Sequence, residues 1–266
     1  MKHITKEFLM QRPLSFSSIK QFIKSPQHYI QYLKQDKKPT ESMLLGSLIH
    51  NMLLEPDGFD TKFIIEPDIN KRTNQGKEDY QKFLDSVSEK NLQVVEPKTF
   101  IKAKEIVTQF MYSPTYKYLK MMDTKEHRFD KEYGGLPVCG YVDAMNDDYN
   151  LEIKTTSSCD IESITRDFYN MKYHLQAAMY QWYNGKPMMY VVIETSAPYL
   201  SRAFIASESY MKEGYKLFEK AMSDFSYCMS MEQFESGYEF YGDELSTLDI
   251  PSWAKKSSEY VDTNSQ

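Results

Sequence analysis

Leu45, Leu48, Ile49, Met52 and Leu53 recur at helical spacing, so Ser42 to Leu54 is expected to form a helix, ended by Glu55-Pro56-Asp57-Gly58. Ahead of it, Ser25-Pro26 has the chemistry of a helix start leading into Gln27 to Lys34, and Asp36 to Thr40 breaks that pattern. Ile69 to Lys77 is polar, basic and glycine-containing, which suits a loop; helical patterning resumes over Glu78 to Glu89 and Phe100 to Met122. After Asp123 the pattern becomes strand-like. Glu126 to Tyr133, Leu136 to Met145 and Tyr149 to Thr156 form three such stretches, punctuated by Gly134-Gly135 and by Asn146-Asp147-Asp148. One long amphipathic helix is expected over Ile161 to Tyr183, closed by Asn184-Gly185. Met188 to Thr195 is the nearly continuous apolar run of a strand buried on both faces; Tyr199 to Ala206 suits a further strand and Glu208 to Met229 a last helix.

This order, without internal repeat or low-complexity block, indicates an α/β fold. The expected division is a helical N-terminal extension over 1–122, a core over 123–230 and an acidic C-terminal tail over 231–266.

An apolar share of 41% in 266 residues is enough for a substantial core. No apolar run is long enough to cross a bilayer and the first twelve residues lack the apolar core of a secretory signal, so the expectation is a cytoplasmic protein with no membrane partner. Cys139, Cys159 and Cys228 are odd in number and lack CxxC spacing, which indicates free thiols and neither a disulfide framework nor a zinc knuckle. The net charge of −6 argues against a basic DNA-coating protein, but the whole of it lies in the eight acids and two bases from Met231 onward. Ser15 to Lys38, by contrast, carries five lysines, Lys20 and Lys24 among them, and one acid; that run suits phosphate contact or a solvated helix face.

The chemistry concentrates in Asp143, at the end of Gly140-Tyr141-Val142-Asp143, and in Glu152 and Lys154 of Leu151-Glu152-Ile153-Lys154. Residues two apart on a strand share a face, so Glu152 and Lys154 project together, and hairpin pairing across the 146–148 turn brings Asp143 beside Glu152. Two adjacent carboxylates repel unless a cation sits between them, and oxygen ligands favour Mg²⁺ or Mn²⁺. Such an ion can polarise a phosphodiester and activate water, with Lys154 orienting the water or neutralising developing charge. The same three residues on a surface hairpin would also make an ordinary salt-bridge ladder.

The Asp, Glu-x-Lys hairpin followed by a helix carrying Gln176 and Tyr180 resembles the PD-(D/E)xK nuclease superfamily with its QxxxY motif. Leu14-Ser15-Phe16-Ser17-Ser18, Gly46-Ser47-Leu48-Ile49-His50, Leu54-Glu55-Pro56, Arg72-Thr73-Asn74-Gln75-Gly76-Lys77 and Pro198-Tyr199 are similar to segments of the RecE (exonuclease VIII) group, related to λ exonuclease and RecB nuclease domains. The likeness covers most of Leu14 to about Leu217; Val142 in place of the nominal proline and Glu152 where many RecE-like proteins have Asp depart from it. The absence of a cysteine cluster argues against the iron–sulfur branch.

The resemblance implies a restriction-endonuclease-like core, a mixed central sheet flanked by helices, with Asp143 and Glu152 as metal ligands, the Ile153 carbonyl as a third and Lys154 as catalytic lysine. It further implies that His50 completes the metal site from the N-terminal extension, that Glu132 serves a second metal or a water, and that Gln176 and Tyr180 face DNA or brace the metal loop. Arg72 and Lys77, with Lys20 and Lys24, become DNA-binding residues. The activity implied is Mg²⁺-dependent 5′ to 3′ digestion of linear double-stranded DNA by a homo-oligomer, serving a single-strand annealing or recombination partner, in the host cytoplasm if phage-encoded. Two alternatives use the same fold: an endonuclease or nuclease module of a repair complex, and a catalytically silent DNA-binding or regulatory protein.

Overall fold

The computed structural model describes residues 6–35, 39–90, 92–231, 234 and 245–249. The N-terminal segment up to Lys62 is helical: α1 (Lys6–Gln11), α2 (Phe16–Phe22), α3 (Pro26–Lys34), α4 (Glu41–Leu54) and the short α5 (Phe59–Lys62). Strand β1 (Phe63–Ile65), α6 (Asn74–Lys90), β2 (Gln93–Val95), α7 (Pro97–Tyr112) and α8 (Tyr116–Lys120) follow. Then come β3 (Thr124–Tyr133), β4 (Leu136–Met145), β5 (Asn150–Thr156), α9 (Ile161–Asn170), α10 (Tyr173–Asn184), β6 (Met188–Glu194), β7 (Ser201–Ile205) and α11 (Glu208–Met231).

The main sheet is mixed and has the order β3-β4-β5-β6-β7; only β5 and β6 run parallel, joined by the α9–α10 crossover that parallel pairing requires. Every side chain from Met188 to Ile193 is buried, because both faces of this strand are covered. One face packs Val142, Tyr190 and Val192 with side chains of α2, α3, α9, α10 and α11. The other packs Ala144, Leu151, Ile153, Val191 and Ile193 with side chains of α4, α7 and α8. The sheet is therefore sandwiched, and α4 reaches β5 closely enough that a Cβ on Gly46 would sit 3.3 Å from Thr155 Oγ1.

Differences from the sequence expectation have local causes. The predicted helix over Phe100 to Met122 is two, since Ser113 precedes Pro114, is disfavoured from helical geometry, and takes an extended ψ of 152°. The predicted helix over Ile161 to Tyr183 breaks at Lys172, which adopts a left-handed φ of 60°. Helix α6 begins inside the expected loop, its glycine lying so close beneath the chain that a Cβ on Gly76 would meet the Asn70 carbonyl oxygen at 2.0 Å. Strands β1 and β2 pair in parallel as a separate two-stranded sheet, too short for any periodicity to announce. The tail expected over 231–266, like Lys37 and Lys38, lies almost wholly outside the described residues. Among the described residues no helix is long and apolar enough to cross a membrane, and all three cysteines are free thiols.

The Leu14 to Ser18 segment fixes the N-terminal helices to the sheet. Leu14 donates to the Pro137 carbonyl at 2.7 Å and accepts from the Cys139 amide at 2.9 Å. Ser15 then caps α2 in a reciprocal box with Ser18. One short motif thus docks α2 against β4 and sets the direction of the helix that carries Lys20.

Candidate metal centre

Strands β4 and β5 pair only at Ala144 with Leu151 and Met145 with Asn150. Beyond that point Asp143 replaces the backbone ladder with its side chain: Oδ2 accepts the Ile153 amide at 2.7 Å. The turn between the strands is closed by Asn146 Oδ1, which accepts the Asp148 and Tyr149 amides at 3.0 and 2.8 Å. On β4 the alternation slips at Asp143, for Val142 and Ala144 pack into opposite cores although they are two apart. On β3 Glu126 falls between Lys125, paired with Ala144, and His127, paired with Val142, and so lies opposite Asp143. Its φ of 49° is a costly conformation for glutamate and marks a kink in the ladder.

The kink aims Glu126 and Asp143 at His50 of α4. Ligand atoms of His50, Glu126 and Asp143 all lie within 4.8 Å of one another. His50 Nδ1 is 3.6 Å from Asp143 Oδ2, and its Nε2 contacts the Ile153 carbonyl oxygen at 2.8 Å. Burial, then the charges of Asp143 and Glu55, raise the Glu126 carboxyl above its ordinary range.

Glu152 and Lys154 point to the other face of β5. Glu152 is 2% exposed and its Oε2 accepts from Lys154 Nζ at 2.6 Å and from Gln176 Nε2 at 3.0 Å. Gln176 Nε2 also reaches the Tyr180 hydroxyl at 3.0 Å, so the two residues, one helical turn apart on α10, brace the carboxylate from the core. The Lys154 ammonium lies 4.6 Å from the centre of the Tyr173 ring. Burial first, and the neighbouring Asp143 charge second, push the Glu152 carboxyl up to about 7 against the pull of Lys154. Burial works to lower Lys154, but the attraction of Glu152 and Asp143 outweighs it and the direction is upward.

Among the described residues Glu152 Oε1 has no hydrogen-bond partner, and neither does Gln176 Oε1. A buried carboxylate oxygen without a donor costs free energy on the scale of a lost charged hydrogen bond. Oxygen ligands with one imidazole are a donor set for Mg²⁺ or Mn²⁺, and among the described residues His50, Glu126 and Asp143 form a cluster that could hold a divalent cation.

Of the residues named from sequence, His50, Ile153 and Asp143 form one hydrogen-bonded group and Lys154, Glu152, Gln176 and Tyr180 another, the two meeting at consecutive residues of β5. Glu132 joins neither: it is exposed, pairs with Pro137 beside the Gly134-Gly135 turn, and stands six residues along β3 from Glu126, the acid that faces Asp143. Glu126 was not marked out by the sequence, because β3 alternates acids and bases and the kink that brings Glu126 beside Asp143 is a backbone property. Lys20, on α2, is half-buried and its ammonium is pulled down by burial, then by repulsion from Lys24, Lys154 and Lys172. Arg72 and Lys77 are exposed at the start of α6, and among the described residues no ion pair or hydrogen bond joins them to the carboxylates.

Comparison with known proteins agrees with this architecture. The profile of a family described as "PDDEXK-like domain of unknown function (DUF3799)" matches residues 15–238. Among solved structures, that of a candidate exonuclease from Eubacterium rectale superposes with a TM-score of 0.58, covering 97% of this chain and 99% of that one at 13% identity. At that identity the likeness is one of fold. No curated protein matches the chain.

Two outcomes follow from this geometry. Glu126→Gln should weaken calorimetric Mn²⁺ binding by roughly tenfold or more, whereas Glu132→Gln should leave it unchanged; the reverse order would return the ligand role to Glu132. The second outcome concerns pH. Unfolded, Glu152 titrates near the ordinary glutamate value of about 4.3, while in the fold it holds its proton to about 7. The folded state binds more protons between those values, so metal-free protein loses stability as pH rises through that window. Urea midpoints in EDTA at pH 5 and pH 7.5 should fall for the wild type and stay nearly level for Glu152→Gln; equal falls in both proteins would exclude Glu152 as the titrating group.

Proposed function

Because the chain belongs to the family of PDDEXK-like domains whose profile spans residues 15–238, we propose that it is a metal-dependent deoxyribonuclease. The observation that carries this reading is the convergence of His50, Glu126 and Asp143 within 4.8 Å, with Lys154 held on the buried Glu152 next to it. A surface ion-pair ladder would leave its charges in water, whereas Glu152 is almost fully buried with one oxygen unpartnered among the described residues.

His50, Glu126, Asp143, the Ile153 carbonyl and Glu152 would hold Mg²⁺ or Mn²⁺. Bound there, such an ion polarises a phosphodiester and lowers the pKa of water. Lys154 keeps its proton, orients the attacking water and offsets the charge that develops on the phosphoryl oxygens. Gln176 and Tyr180 hold Glu152 in place rather than touching DNA, a reading their burial supports. Lys20, Lys24, Arg72 and Lys77 remain the cations proposed for phosphate contact.

The likeness to RecE-type exonucleases in sequence, and to a candidate exonuclease in fold, favours attack on the ends of linear duplex DNA, with 5′ to 3′ polarity, within a homo-oligomer that hands a 3′ strand to an annealing partner. Equal masses of linear and covalently closed duplex from one plasmid, incubated with Mg²⁺, test this. Loss of the linear form alone, stopped by EDTA and reduced at least a thousandfold by Lys154→Ala, is the expected result. Nicking of the closed circle would replace the exonuclease by an endonuclease, and full activity in EDTA would end the metal mechanism.

A further inference from the structure

Among the described residues, the lysines around Lys154 have no counter-ion. Phe16 of α2 and Tyr173 of α10 lie with ring centres 6.1 Å apart, tilted by 43°. Lys154 Nζ sits 4.6 Å from the Tyr173 ring and Lys20 Nζ sits 5.2 Å from the Phe16 ring, so the aromatic pair is flanked by an ammonium on each ring. Lys172 immediately precedes Tyr173 and is partly buried, held there by a left-handed φ of 60° that costs a non-glycine residue about 1 kcal/mol or more. Lys24 follows one turn after Lys20 on the rim.

Of these four cations, Lys154 alone forms an ion pair among the described residues, with Glu152. Three like charges beside a fourth repel, and half-burying one of them without an anion adds a desolvation cost. Burial first, and that repulsion from Lys24, Lys154 and Lys172 second, lower the affinity of Lys20 for its proton. Nothing in the packing requires charge here: the aromatic rings would be covered as well by apolar stems. An arrangement that keeps ammonium groups unpaired next to a hydrolytic centre is complementary to an anion that arrives with the substrate.

Resting on the nuclease reading above, we propose that Lys20 and Lys172, with Lys24 at the rim, form a subsite for a phosphodiester of the nucleic-acid strand next to the one being cut. The Phe16 ring restrains the flexible Lys20 stem, leaving its N–H donors free for phosphate oxygens. The subsite binds the strand through its backbone and carries no base preference. Since α2 supplies half of it and is docked to β4 through Leu14, the N-terminal helices become part of the substrate surface.

The test uses the full chain carrying Lys20→Gln and Lys172→Asn, chosen because glutamine keeps most of the lysine stem and asparagine tolerates the left-handed backbone. Steady-state cleavage of linear duplex DNA is measured over a salt series, with Lys20→Arg/Lys172→Arg as the charge-retaining partner and thermal denaturation as the check on folding. The neutral variant should show kcat/KM lowered roughly tenfold, mostly through KM, with a slope of log KM against log salt shallower by about one to two. The arginine variant should recover most of the loss. Unchanged KM and slope in the neutral variant overturn the subsite while leaving the nuclease intact, and so does a loss that arginine does not restore. Should the neutral variant fail to fold, Lys172→Asn alone is judged by the same KM and slope. A wild-type protein that cleaves no DNA overturns the nuclease reading and the subsite with it.

Discussion

The hydrogen bond from the Ile153 amide to the Asp143 carboxylate fixes the junction at which this fold becomes a site. A β-hairpin would ordinarily continue its backbone ladder past Ala144 and Leu151; here a carboxylate takes the place of a carbonyl and the two strands part. That substitution turns the Ile153 carbonyl toward His50 on one face of β5, leaves Glu152 and Lys154 on the other, and coincides with the kink that swings Glu126 into line. The cost is a backbone donor satisfied by a group that also carries charge. It is offset because the amide is itself a good donor to an ionised acceptor.

The second constraint is electrostatic. Glu152 is taken out of water beside another carboxylate, a loss of several kcal/mol in solvation that Lys154 and Gln176 recover in part. The remainder is visible as the upward push on its proton affinity and as the oxygen that no donor reaches among the described residues. Stability alone would favour an apolar residue at position 152. Retaining an under-satisfied carboxylate there is intelligible if a cation completes it, as strain and unsatisfied groups at functional sites generally imply.

Much of this was legible from the chain. The alternation of Leu151 and Ile153 against Glu152 and Lys154 placed the pair on one face, and the apolar run from Met188 marked the strand that pairs beside it in parallel. The QxxxY spacing put Gln176 and Tyr180 on one side of a helix, although their burial against Glu152 depends on how that helix docks. What stayed hidden depends on backbone conformation or on chain segments far apart in sequence. Glu126 is selected by a left-handed φ within a strand, Lys172 by a left-handed break in what reads as one continuous helix, and the nearness of Lys20 to Lys154 by the docking of Leu14 on β4. Residue type and spacing carry none of these.

Asp143 has two duties in this account, a hydrogen-bond acceptor for Ile153 and a charged ligand, and asparagine separates them because its amide oxygen can still accept from the Ile153 amide. The most direct measurement is therefore Mn²⁺ affinity of Asp143→Asn by electron paramagnetic resonance, taken on protein whose thermal midpoint stays near that of the wild type. The expected result is a loss of at least roughly tenfold in Mn²⁺ affinity with the fold retained. Mn²⁺ bound as tightly as by the wild-type protein would contradict it, since the carboxylate would then be serving the strand junction alone.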